Sequence, residues 1–236
     1  MTALGADYAA LSAIIARTRY LLLDFDGPIC SIYSGLPAPK VADQLKTLFP
    51  GELPDEIAST PDPIEVFCYS ATISDEMAAR VEAEMADLEV AAVAIAEPTP
   101  YVHEVVASAR ESGRVIAVVS NNSSRAVNAY LDRHGLSDGI RLVVGRTSHD
   151  PALLKPNPHL IGEAVRGLDA SPAASTLVGD SLTDIEAAHR AAVASIGYAN
   201  EPGKRDRMTQ LQAGAVITSM ADLALSLRAH RADTGP

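Results

Sequence analysis

The feature that most constrains the fold of this chain is the alternation of short apolar strands with helical segments after residue 100. The strands are predicted at VIAVVS (115–120), IRLVVG (140–145), TLVGD (176–180) and SIGY (195–198). The helical segments between them span 124–135, 158–167 and 182–193. Apolar strands separated by helices indicate a parallel sheet that helices cover on both faces. Since such crossovers are right-handed, the pattern predicts a doubly wound, Rossmann-like α/β fold.

An earlier strand, YLLL (20–23), is separated from the next predicted strand of the sheet by about ninety residues. A single crossover takes only about thirty residues. The surplus begins with a proline-rich stretch that contains short helical pieces. We therefore predict a small all-helical cap domain over 34–96, inserted into a core domain that is formed by 1–33 and 97–236.

The second half of this insertion has the pattern of one long amphipathic helix. Ser74 is a plausible N-cap, and Asp75 and Glu76 follow in the first turn. Apolar residues then recur at steps of three or four, at Met77, Val81, Met85, Leu88, Ala92 and Ile95. This stripe predicts a helix whose apolar face belongs to the core of the cap.

Composition narrows the possible partners. The formal net charge is −11, and no run of Lys or Arg is present, so binding to a nucleic-acid backbone is not expected. No stretch is long and apolar enough for a membrane span, and the first twenty residues lack the basic start of a secretory signal. Cys30 and Cys68 show no metal-site spacing. We expect a cytoplasmic monomer or homodimer with reduced thiols.

Polar side chains follow four of the predicted strands, at the ends where parallel α/β sheets bind ligands. These residues are Asp24 and Asp26 after the first strand, Ser120 and Asn121 at the end of the second, Lys155 in the loop after the third, and Asp180 at the tip of the fourth with Asp184 four residues on. Asp24 and Asp26 lie on the same side of their strand because side chains alternate. Two like charges so placed repel each other unless a cation or strong donors intervene.

In order and spacing, these four groups resemble the four motifs of the haloacid-dehalogenase-like (HAD) superfamily. The resemblance covers nearly the whole chain and is to the phosphoglycolate-phosphatase-like branch, in which a helical cap follows the first motif. It implies a Mg²⁺-dependent phosphatase that hydrolyses a small phosphorylated metabolite through an aspartyl-phosphate intermediate.

The resemblance also implies a role for each residue. Asp24 would be the nucleophile. Asp26 would protonate the leaving oxygen and then take a proton from the hydrolytic water. Ser120 and the backbone N–H of Asn121 would hold phosphoryl oxygens, and Lys155 would place its ammonium between the phosphoryl group and the carboxylates.

The same resemblance implies the metal site. Asp24 and Asp180 would bind Mg²⁺ through their carboxylates, and Asp26 through its backbone carbonyl. Asp184 would act through a water or orient Lys155. An all-oxygen donor set of this kind suits Mg²⁺ better than zinc.

Simpler interpretations exist for five of these residues. Asp24 alone could be a strand-end acid, and Asp26 alone could be an ordinary turn former. Ser120 could cap the helix that begins near Ser124. Asp184 could be an acid in the first turn of a helix, where its negative charge interacts favourably with the helix dipole. Lys155 could be an ordinary solvated loop lysine.

Two alternative functions also stay open at this point. A sugar phosphomutase of the same superfamily shares all four motifs, and a catalytically idle member could bind a phosphorylated metabolite without turning it over. The carboxylate of Asp26 favours phosphate ester hydrolysis over halide displacement, because a departing halide needs no proton.

Overall fold

The computed structural model describes the backbone of residues 3–230 and the side chains of residues 7–230. In this part of the chain, six strands form one sheet: β1 (Tyr20–Leu23), β2 (Val115–Ser123), β3 (Leu142–Arg146), β4 (Ser175–Gly179), β5 (Ala194–Tyr198) and β6 (Ala215–Ile217). Their order across the sheet is β3-β2-β1-β4-β5-β6, and every neighbouring pair is parallel. This is the strand order of a doubly wound Rossmann-like sheet, so the predicted fold class is confirmed.

Helices connect and surround these strands. Within residues 3–230 they are α1 (Ala3–Arg17), α2 (Ala38–Lys46), α3 (Asp55–Ser59), α4 (Pro63–Ile73), α5 (Asp75–Val93), α6 (Val102–Glu111), α7 (Ser124–Arg133), α8 (His159–Gly167), α9 (Leu182–Arg190), α10 (Lys204–Gln210) and α11 (Met220–Ala229). None of the helices in this range has the length and apolarity needed to cross a bilayer.

The sheet is apolar on both faces, as the sequence of β1 illustrates. Leu21 and Leu23 point into a cluster that also contains residues of α1, α6, α7 and α11. Leu22 points the other way, into a second cluster with residues of α8 and α9. Alternate side chains of a strand point to opposite faces, so a strand that is apolar throughout is buried between two layers of helices.

Helices α2 to α5 lie between β1 and α6 in the chain and pack around an apolar cluster of their own. Val41, Phe67, Val81 and Met85 are fully buried in it, and Leu154 joins them from the segment after β3. We call residues 34–96 the helical insertion. The division of the chain into two domains at these boundaries stays a prediction.

The long helix of the insertion begins where the sequence predicted but ends earlier than its apolar stripe. The side chain of Ser74 caps α5 by accepting a hydrogen bond from the backbone N–H of Met77. The helix ends at Val93, and the side chain of Ile95 is 57% exposed. The prediction for Ile95 was therefore wrong, because the apolar spacing continues past the point where the backbone leaves the helix.

Candidate active site

The register of the sheet brings the predicted residues to one edge. Leu23 of β1 pairs with Val118 of β2 and with Val178 of β4. Asp24 therefore lies one residue beyond this level, and Ser120 and Asp180 lie two residues beyond it on the flanking strands. The junction of β1 with β4 is also where the strand order reverses, which is where sheets of this type bind ligands.

Lys155 lies at the centre of this edge. Its Nζ is 2.8 Å from Oδ1 of Asp24 and 2.6 Å from Oδ1 of Asp184, and it donates to the backbone oxygen of Val119 at 3.1 Å. Burial alone would lower the pKa of this lysine, but Asp184 and Asp24 outweigh burial and raise its pKa above the ordinary value. Lys155 is thus a buried, charged ammonium ion, and its interpretation as a solvated loop residue was wrong.

The side chain of Asn121 fixes the backbone of Lys155. Its Oδ1 accepts from the backbone N–H of Lys155 at 2.8 Å, and its Nδ2 donates to the backbone oxygen of Lys155 at 3.2 Å. The sequence suggested a role only for the backbone N–H of Asn121. Its amide joins the end of β2 to a segment 34 residues later in the chain.

Ser120 is not the helix cap. The N-cap of α7 is Ser123, whose Oγ accepts from the backbone N–H of Ala126. Ser120 is buried, donates to Oδ1 of Asn122 at 3.1 Å and accepts from the backbone N–H of Asn122 at 3.2 Å. Its hydroxyl is therefore held by Asn122 in the irregular last part of β2.

Three carboxylates converge beside the ammonium of Lys155. Asp24, Asp180 and Asp184 each offer an oxygen within 4.8 Å of the other two. Burial and the neighbouring charge of Asp184 raise the pKa of Asp24, and burial raises the pKa of Asp180. Like charges this close are unfavourable without a cation, and an oxygen-only donor set is the kind that Mg²⁺ prefers. The residues present fit a Mg²⁺ ion.

The sharp turn at Gly27 leaves space for one of these carboxylates. Gly27 has φ +92°, and a Cβ at this position would lie 2.4 Å from Cγ of Asp180. Glycine adopts this conformation at little cost, whereas any side chain would collide with Asp180. The short turn after Asp26 therefore determines where Asp180 can lie.

Asp26 faces the same site from the turn. Its Oδ1 accepts from the backbone N–H of Ile32 at 3.0 Å, and burial raises its pKa to about 6. A carboxyl group with this pKa can both give and take a proton near neutral pH.

Asp184 acts both as an acid in the first turn of a helix and as a partner of Lys155. It forms a capping box with Ser181 at the start of α9, in which its Oδ2 accepts from the backbone N–H of Ser181 at 3.0 Å. Its other oxygen, Oδ1, pairs with Lys155. The same carboxylate thus begins the helix and orients the lysine.

Two further residues reach Asp180 from the end of β5. Nζ of Lys204 lies 2.6 Å from Oδ2 of Asp180, and Nδ2 of Asn200 donates to the same oxygen at 3.1 Å. The sequence analysis did not single out either residue. The signal was present, since the polar segment NEPGK (200–204) follows the strand SIGY at the same edge of the sheet.

These residues open onto a cavity of about 250 Å³. One wall is formed by the strand-end residues Asp24, Asp26, Ser120, Asn121, Asn122, Lys155, Asp180, Ser181 and Thr183. The cavity is also lined by Tyr33, Asp62 and Ile64, which come from the segment after β1 and from the start of α4. The cavity thus lies between the sheet edge and the helical insertion.

A model of the haloacid dehalogenase-like hydrolase family matches residues 56–198, which is more than half of the chain. The chain belongs to this family. The family resemblance inferred from the four strand-end groups is thereby confirmed. The matched range does not include Asp24 and Asp26, so the placement of these two acids rests on the geometry above.

Relatives of this haloacid dehalogenase-like hydrolase include a phosphoglycolate phosphatase from Vibrio vulnificus (strain YJ016). It is 30% identical over 124 residues, which are 52% of this chain and 54% of the relative. A plasmid phosphoglycolate phosphatase from Cupriavidus necator is 31% identical over 136 residues, or 56% of each chain. The chain thus spans about half the length of the curated relatives it matches.

Among solved structures, a predicted phosphatase from Clostridium acetobutylicum superimposes with a TM-score of 0.71. The superposition covers 89% of this chain and 98% of that one at 17% sequence identity. This likeness supports the fold of the haloacid dehalogenase-like hydrolase over nearly its whole length.

Proposed function

We propose that this chain is a Mg²⁺-dependent phosphatase that hydrolyses a small phosphate monoester through an aspartyl-phosphate intermediate. The observation that supports this most directly is the contact of one buried lysine with both Asp24 and Asp184, beside Asp180 and at the mouth of a cavity. Family membership and the phosphatase names of the relatives support the same reaction class. Its substrate is a small phosphorylated metabolite, and the enzyme acts in the cytoplasm.

In the first half-reaction, a carboxylate oxygen of Asp24 attacks phosphorus while the bond from phosphorus to the ester oxygen breaks. The ammonium of Lys155 favours the ionised form that this attack requires. Asp26 gives its proton to the departing ester oxygen, so the alcohol leaves in neutral form.

In the second half-reaction, a water molecule attacks the phosphorus of the aspartyl-phosphate. Asp26, now ionised, takes the proton from this water, and the carboxylate of Asp24 is released together with inorganic phosphate. Ser120 and the backbone N–H of Asn121 bind phosphoryl oxygens in both steps. The ammonium of Lys155 balances the negative charge of the phosphoryl oxygens.

Asp24, Asp180 and the backbone carbonyl of Asp26 would hold Mg²⁺, with Asp184 close by. When bound, the ion would neutralise carboxylate and phosphoryl charge, which in phosphoryl transfer is the main electrostatic contribution to catalysis.

The test is the turnover of p-nitrophenyl phosphate by the purified protein. We expect release of nitrophenolate with Mg²⁺, loss of the activity in EDTA, and recovery when Mg²⁺ is restored. Retained Mg²⁺ binding without turnover of any monoester would indicate the idle binding protein instead. Conversion of a hexose 1-phosphate to the 6-phosphate without release of inorganic phosphate would indicate the mutase.

A further inference from the structure

In the proposed reaction, the cavity residues that do not come from the strand ends contact the alcohol part of the substrate. The strand-end wall contains the groups that react with phosphorus, so the group attached to the phosphate extends toward Tyr33, Asp62 and Ile64. These three side chains, rather than the strand ends, therefore select the substrate.

The charges around the cavity do not favour a second anionic group on the substrate. Among the residues that line the cavity, Lys155 is the one with a positive charge, and it already pairs with Asp24 and Asp184. Lys204, close by, pairs with Asp180. The existing cations, with Mg²⁺, are needed to balance these carboxylates and the phosphoryl group.

Lys46 of the helical insertion, which contacts the backbone just before Asp62, is also fully engaged. The ammonium of Lys46 donates to the backbone oxygen of Thr60 at 2.8 Å and to the backbone oxygen of Ala58 at 3.0 Å, and it pairs with Asp43 at 3.0 Å. An ammonium group has three donors, and these contacts use all three. Lys46 therefore cannot turn toward a carboxylate in the cavity without giving up a hydrogen bond.

Asp62 adds a negative charge to the part of the cavity that Tyr33, Asp62 and Ile64 line, and its carboxylate accepts backbone hydrogen bonds. Its Oδ1 caps α4 by accepting from the backbone N–H of Ile64 at 2.8 Å, and the backbone N–H of Glu65 also lowers its pKa. The lone pairs of the carboxylate that these two donors do not use can accept from a ligand. Asp62 is exposed to solvent at the mouth of the cavity, and the protein atoms around it on balance raise its pKa. Burial raises the pKa of the neighbouring Tyr33, so that phenol stays neutral and adds no charge.

We infer that the alcohol part of the substrate ends in an N–H or O–H donor that binds Asp62, and that a substrate ending in a carboxylate is disfavoured. This inference rests on the proposed phosphatase function. It separates the chain from its relatives that are named phosphoglycolate phosphatases, because phosphoglycolate presents a carboxylate at this point.

Four phosphate esters with two-carbon alcohol parts test this inference. They are 2-aminoethyl phosphate, 2-hydroxyethyl phosphate, ethyl phosphate and phosphoglycolate, which end in an ammonium, a hydroxyl, a methyl and a carboxylate group. With Mg²⁺ we expect kcat/KM for the better of the two donor esters to exceed that for phosphoglycolate by about tenfold or more, because like charges meet at Asp62. The ranking of the amine against the hydroxyl ester identifies which donor the site prefers.

The variant Asp62→Asn assigns the effect to one side chain. Asparagine is as good an N-cap as aspartate, so α4 should be preserved. We expect the preference for the better of the two donor esters over phosphoglycolate to fall by about tenfold in Asp62→Asn. The control is Asp55→Asn, which removes the same charge from an exposed position of the insertion outside the cavity and should keep the wild-type preference.

The outcomes separate the two proposals. Turnover of ethyl phosphate together with a preference for phosphoglycolate would overturn the inference and leave the phosphatase intact. An unchanged preference in Asp62→Asn would also overturn it. Failure to turn over any of the four esters or p-nitrophenyl phosphate would overturn the proposed function and the inference with it.

Discussion

Asp24 lies among carboxylates whose negative charges repel its own. The positive charge of Lys155 offsets this repulsion. In Asp24→Asn, we expect kcat for p-nitrophenyl phosphate to fall by about 10⁴-fold or more, because an amide cannot attack phosphorus as a carboxylate does. In EDTA, the variant should unfold within a few degrees of the wild-type protein, since the substitution removes one of several crowded acids. Steady-state kinetics and thermal unfolding measure the two effects. A rate within tenfold of wild type would contradict the nucleophile assignment.

Gly27 allows a second test at the level of one residue. In Gly27→Ala the new Cβ would collide with Asp180, and the left-handed backbone would be strained by about 1 to 2 kcal/mol. We expect the Mg²⁺ concentration for half-maximal activity to rise by about tenfold or more, as when other groups that position a metal ligand are altered.

The control for this variant is Gly51→Ala. Gly51 has the same φ of +92°, but nothing lies within 4 Å of its virtual Cβ. Its substitution should cost similar stability without changing the dependence on Mg²⁺. Equal metal responses in the two variants would show that strain, and not the collision with Asp180, is responsible.

At the scale of secondary-structure elements, a buried ion pair joins the helical insertion to the sheet. Glu89 of α5 receives two hydrogen bonds from Arg146 at the end of β3, at 3.1 and 3.0 Å, and is fully buried. Glu89 also accepts from Nδ2 of Asn122 and from the backbone N–H of Ser123. One carboxylate thus fastens α5 to the last residues of β2, directly before α7.

Glu89→Gln should therefore weaken the whole fold. The substitution leaves the guanidinium of Arg146 buried with less compensation, and breaking such a pair costs about 3 to 5 kcal/mol. The matched control is Glu82→Gln, since Glu82 also contacts Arg146, at 3.2 Å, but is partly exposed. This control should cost about 1 kcal/mol or less. Urea denaturation with a common m-value measures both, and equal losses would contradict the assigned difference.

At the scale of the whole molecule, the clustered acids predict that Mg²⁺ stabilises the fold. An ion that binds only the folded state adds about 2.7 kcal/mol to the free energy of unfolding at 100 times its Kd. For a chain of this size, this corresponds to a rise in Tm of roughly 5 to 10 °C. Thermal unfolding with Mg²⁺, against NaCl of equal ionic strength, measures the shift. Asp180→Asn should reduce it, and an equal shift in that variant would argue against Asp180 as a ligand.

The sequence predicted the parts of the molecule that depend on local patterns. Strand positions follow from apolar runs, and the acids at the ends of β1 and β4 follow from their place after those runs. The amide bridge from Asn121 to Lys155 and the pair of Glu89 with Arg146 could not be predicted, because each depends on how distant segments pack. The prediction for Ile95 failed for a different reason. Ile95 continues the apolar spacing of the helix, but the helix ends at Val93, before this residue.

Leu154 has a consequence for redesign. It is buried in the apolar cluster of the insertion, while its neighbour Lys155 is fixed to the end of β2. Withdrawing a leucine from such a place costs about 1.5 to 3 kcal/mol. A chimera that exchanges residues 34–96 for those of a relative must therefore provide apolar side chains that bury Leu154. Without them, the segment that contains Leu154 would shift and move Lys155 away from its position in the site.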